Sequence, residues 1–70
     1  MKVRFKSEEA MNVYATIDRN NKELVDAYGM NPIPVGFVDE EWWDIFNGKG
    51  VLCYTINISD ESHFFEILEK

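Results

Sequence analysis

Two stretches with the two-residue period of a strand, 2–6 and 51–58, flank a run over 8–28 with the period of a helix. A loop rich in hairpin residues, Asn47-Gly48-Lys49-Gly50, separates two apolar runs in the second half. Together these predict an α+β fold over residues 1–70. It is a small, mainly antiparallel β-sheet of about three to four strands, packed against one bent helix or a helix pair. Seventy residues make one compact domain and leave no room for a second.

The first strand is the plainest. Val3 and Phe5 fall on one side, and Lys2, Arg4 and Lys6 on the other. The bases on its outer side read as protection of an exposed strand against edge pairing. Ser7 is a natural helix N-cap, and Glu8 and Glu9 suit the positive end of the helix dipole. Ala10, Tyr14, Ile17, Asn21, Leu24 and Tyr28 then recur at helical spacing, with Asn21 as a polar flaw in the apolar face. Asp18-Arg19-Asn20-Asn21 interrupts the run. Asn20 with Glu23 resembles a second capping box, and Gly29 is a natural stop.

Met30-Asn31-Pro32-Ile33-Pro34 is a stiff, extended connection. Ile33 to Val38 reads as a strand whose prolines suggest an edge or a late start, with Gly36 marking a bulge or a tight crossing. Residues 39–46 fit a short helix capped by Asp39 or a strand from Trp42 to Phe46. The Asn-Gly loop that follows favours the extended form. Val51 to Ile58 is a strand with Leu52, Tyr54, Ile56 and Ile58 on one face. Residues 60–68 open with a turn or helix cap and end in a short helix or a last strand.

At this size the folded surface should be about 4,500 Å², roughly 60% less accessible than the unfolded chain. Five Phe, three Tyr and two Trp suit so small a core, which must bury much area per residue. Cys53 is the one cysteine, so these residues form no disulfide among themselves. The charged first residues have no apolar run behind them, and no stretch approaches 18 apolar residues. The expectation is an intracellular, cytoplasmic protein with no secretory leader and no membrane span.

Thirteen acids oppose seven bases, for a net charge of −6. The asymmetry is greater than the total. Residues 23–69 carry ten acids and a single base, Lys49. Such a field repels nucleic acid and anionic membranes and attracts basic protein surfaces. Its densest run is Asp39-Glu40-Glu41-Trp42-Trp43-Asp44, which also holds both tryptophans. Neighbouring residues diverge on any regular backbone, so one ring should enter the core and the other reach the surface. An exposed Trp ringed by carboxylates has the composition of a protein-binding hot spot. Asp39, Glu40, Glu41, Trp42, Trp43 and Asp44 are therefore the candidate partner-binding residues.

No motif for other chemistry is present. The 39–44 acids lack the alternating ligands and turn glycine of a calcium loop. Cys53, mid-strand, reads as a small buried hydrophobe, and His63 as a surface residue, so neither predicts a nucleophilic pair. Gly48-Lys49-Gly50 lacks the spacing of a phosphate loop. A core this small leaves little volume for a ligand pocket. The expectation is no enzyme, no cofactor and no metal.

In size, acidity and aromatic richness the chain resembles the small accessory proteins of tailed bacteriophages. The resemblance rests on the opening Met1-Lys2-Val3-Arg4-Phe5-Lys6-Ser7-Glu8-Glu9-Ala10-Met11 and the ending Ile58-Ser59-Asp60-Glu61-Ser62-His63-Phe64-Phe65-Glu66-Ile67. It implies an inhibitor of a host nucleic-acid-handling or defence protein, acting in the bacterial cytoplasm by occupying a basic surface. The alternatives are a nucleic-acid mimic, or a homodimeric regulatory or structural protein whose aromatic patch faces itself.

Overall fold

A computed structural model covering residues 1–70 shows an α+β fold with two antiparallel sheets of three strands each. The strands and helices run β1 (Lys2–Phe5), α1 (Glu8–Ile17), α2 (Arg19–Tyr28), β2 (Ile33–Pro34), β3 (Phe37–Val38), β4 (Trp42–Phe46), β5 (Leu52–Asn57), α3 (Ile58–Glu61) and β6 (Phe65–Glu69). The strand orders are β2-β1-β6 and β3-β4-β5. The expected single sheet of three to four strands is thus divided in two.

The division happens within residues 33–38. Ile33 and Pro34 pair with β1, while Phe37 and Val38 pair with β4. Between them the amide of Val35 donates to Met1 C=O at 2.8 Å, and the next amide, of Gly36, donates to Asp44 C=O at 2.9 Å. Gly36 marks the tight crossing. A Cβ there would lie 2.5 Å from Cδ2 of Phe46, whose ring packs over the bare backbone.

β1 is the central strand of its sheet, which corrects its reading as an edge strand. Two of its outer bases, Lys2 and Arg4, serve cross-strand pairing instead. Arg4 pairs with Glu66, through Nε at 3.0 Å and a further contact from its terminal nitrogen, and Lys2 Nζ stands 4.0 Å from Glu69. Val3 and Phe5 on the other side are fully buried.

Residues 8–28 form the helix-pair form of the expectation. Ser7 Oγ accepts from the amide of Ala10, which caps α1. Asp18, extended at φ −154°, ends α1 and caps α2 by accepting from the amide of Asn20. That corrects the cap expected at Asn20. Gly29, at φ 55°, closes α2 in a conformation that suits glycine.

Ten side chains form one core, from Val3, Phe5, Ile33 and Phe65 of the first sheet to Trp43, Ile45 and Ile56 of the second, closed by Tyr14, Leu24 and Val35. Phe65 joins the parts. Its ring centroid lies 4.5 Å from Phe5, 5.3 Å from Tyr14 and 6.2 Å from Trp43. The total accessible surface is 4626 Å². No helix is long and apolar enough to cross a membrane.

Candidate functional site

The acidic run forms the turn between β3 and β4, followed by β4 itself. Asp39 builds the turn. Its carboxylate accepts from the amides of Glu41 at 2.8 Å and Trp42 at 2.7 Å, and its own amide donates to Trp42 C=O at 3.0 Å. Local side-chain bonds of this kind are why Asp favours turns. Glu40 and Glu41 make no such bonds and stand exposed beside it.

From Trp42 onward the chain is a strand, and alternate side chains part. Trp43 and Ile45 enter the core at 6% and 0% exposure, while Trp42 stays outside at 38%. Trp42, Asp44 and Phe46 share the outer side. Asp44 sits opposite Phe37 on one flank and Thr55 on the other. Of the six candidate residues, five are therefore outside or at the turn. Trp43 faces the opposite way and is a core residue.

The outer side gains two apolar residues that sequence reasoning missed. Phe37 is exposed and pairs with Asp44. Leu52 was expected to share one face with Tyr54 and Ile56. The register skips a residue between Ile45↔Tyr54 and Phe46↔Leu52, so Cys53 is the extra residue of a β-bulge and Leu52 lies opposite Phe46. The same bulge leaves Cys53 exposed, which corrects its reading as a buried hydrophobe. Gly50 takes a φ of 77° in the turn that launches β5. Asn47 Oδ1 holds that turn through the amides of Lys49 and Val51.

Beside this hairpin lies a second feature, a groove of about 610 Å³ between β5 and the junction of α1 and α2. Its presence corrects the expectation of little pocket volume, because it forms between elements rather than inside the core. Ile17, Leu24, Trp42 and Leu52 supply its apolar lining, and Asp18, Asp60 and Glu61 its charge. None of the seven bases lines it.

The polar groups of the groove are tied together. Glu61 accepts from the amide of Asn57 at 2.7 Å and from Asn21 Nδ2 at 3.4 Å. Asn21 also donates to the carbonyl of Tyr14 at 3.1 Å. Burial pushes the Tyr14 hydroxyl well above the usual tyrosine range, and the negative charge of Glu61 adds to the effect. Cys53 bonds weakly to Val51 C=O at 3.4 Å, and exposed His63 stacks on Phe64 with centroids 4.1 Å apart.

The arrangement brings together an exposed aromatic ring, an apolar hairpin face and carboxylates without a basic partner. Compared with family models, with curated proteins and with solved structures, the chain matches none.

Proposed function

We propose that this chain is a protein-interaction module that inhibits a larger nucleic-acid-handling or defence protein by occupying a basic functional surface on it. The observation that carries this reading is Trp42, an exposed indole flanked by Glu40, Glu41 and Asp44 with no base among them. Tryptophan in such a position contributes affinity through desolvated area, while carboxylates at the rim steer a basic partner into contact. Phe37 and Leu52 extend the apolar area around it.

The test is affinity capture from nuclease-treated bacterial lysate at moderate salt, with Trp42→Ala as the control bait. The expected result is one stoichiometric nucleic-acid-handling or defence protein, held by the native chain, lost with the variant and competed by DNA or RNA. Capture of no partner, with self-association of the bait, would instead support a homodimer and overturn the inhibitory reading.

A further inference from the structure

The groove beside β5 has a property that the hairpin turn lacks. β5 is the last strand of its sheet, so one of its edges has no neighbour. The amide of Ile58 donates to Glu41 C=O at 2.9 Å, which places Ile58 among the residues whose main chain points toward β4. Main-chain groups of an antiparallel strand alternate in direction. Asn57 and Thr55 therefore turn theirs away from β4, toward the groove. The Asn57 amide is already satisfied by Glu61, and Thr55 presents its N–H and C=O at the free edge.

An open edge of this kind is a template for pairing. Two features decide what would pair with it. Ile17, Leu52 and Trp42, all exposed, line the groove and offer apolar contact to alternate side chains of an extended segment. Asp18, Asp60 and Glu61 supply only negative charge, which excludes a nucleic-acid backbone. They also disfavour a second copy of this chain, whose groove carries the same three carboxylates.

We infer that the β5 groove takes an extended, Lys- or Arg-bearing peptide segment of a partner protein, which adds as a strand along Leu52–Asn57. This rests on the reading of the chain as a binder of basic protein surfaces and specifies one contact within it. Pairing over about four residues would span about 13 Å at roughly 3.3 Å per residue. Its basic side chains would meet Asp18 and Asp60, and its apolar ones Ile17 and Leu52.

The probe is a panel of octapeptides alternating Lys or Arg with Val, Leu or Phe, titrated into isotopically labelled full-length chain at low salt and followed by amide NMR. The expected result is shifts concentrated at residues 52–57, slowed exchange of the Thr55 amide, and no response to the matching Glu peptides. N-methylation of alternate peptide amides should weaken binding about tenfold, as loss of main-chain hydrogen bonds predicts. Thr55→Pro, which removes an N–H that points away from β4, should do the same. If that variant misfolds, the N-methylated peptides make the same test from the other side. Shifts confined to residues 39–44 would overturn strand addition and leave the basic-surface reading standing. No response to any basic peptide would overturn both. Equal response to acidic peptides, or exchange protection that grows with protein concentration alone, would overturn the charge argument in favour of general or self-pairing.

Discussion

The side-chain amide of Asn21 on α2 lies 3.4 Å from the carboxylate of Glu61 on α3, forty residues further along the chain. The same amide reaches the carbonyl of Tyr14 in the preceding helix. That carbonyl is in the last turn of α1, where no helical partner exists for it. The polar flaw in the helical face is therefore the cap of one helix and the link from the pair to the end of β5. Asn21→Ala should destabilise the fold by about 1–3 kcal/mol, the cost of leaving buried polar groups unpaired. Urea denaturation measures it, and a loss below a few tenths would remove the capping role.

Tyr14 makes stability depend on alkaline pH. Its folded-state pKa is raised above the 10.0 of an exposed tyrosine, chiefly by burial and then by Glu61. The folded chain thus keeps a proton that the unfolded chain releases. The stabilisation is present in full below about pH 10 and is lost as the pH rises beyond it. The slope approaches about 1.4 kcal/mol per pH unit for one proton of difference. Denaturant titrations at pH 8 and above pH 10 should show a steeper loss for the native chain than for Tyr14→Phe. Parallel curves would place the alkaline transition elsewhere.

The two tryptophans should behave as opposites. Trp43→Ala removes a core ring and should cost about 3–5 kcal/mol. Trp42→Ala should cost less than about 1 kcal/mol and weaken partner capture, as truncating an interface anchor does. Acrylamide quenching of the single-tryptophan variants Trp42→Phe and Trp43→Phe separates them without any partner. The chain retaining Trp42 should be quenched more strongly.

Gly36 and Phe46 should be coupled. Gly36→Ala drives a methyl group into the Phe46 ring and should cost about 1–3 kcal/mol, as overpacking does. In the background of Phe46→Leu the same change should be smaller. A double-mutant cycle gives the interaction directly, and an additive result would mean that the ring moves aside freely.

Once a partner is in hand, Glu40→Lys, Glu41→Lys and Asp44→Lys together should slow association and flatten its dependence on salt. Stopped-flow mixing across ionic strengths measures both. Asp39 is left unchanged because its carboxylate holds the turn.

Local signals were readable where a residue's own neighbours decide its state. Ser7 as a cap, Gly29 as a stop, the inward pair Val3 and Phe5, and the division of Trp42 from Trp43 all follow from periodicity and cap chemistry. What escaped depends on partners distant in sequence. Residues 33–38 look like one strand because the split is imposed by β1 and β4. Leu52 turns outward and Cys53 stands exposed because the bulge is defined by register against β4. Asp18 displaces Asn20 as the cap because α1 ends in time to leave it extended. The groove was invisible for the same reason, since it is made of the space between elements.

The adjacent amides of Val35 and Gly36 donate into different sheets, so this two-residue unit is shared by both halves of the molecule. Neither sheet can peel away without pulling that unit from the other, and Phe65 transmits the same constraint through the core. Opening should therefore be all-or-none rather than stepwise. Native-state hydrogen exchange would show it as one common opening free energy for the amides of β1 and β4, with no partly opened form in which the hairpin comes apart alone.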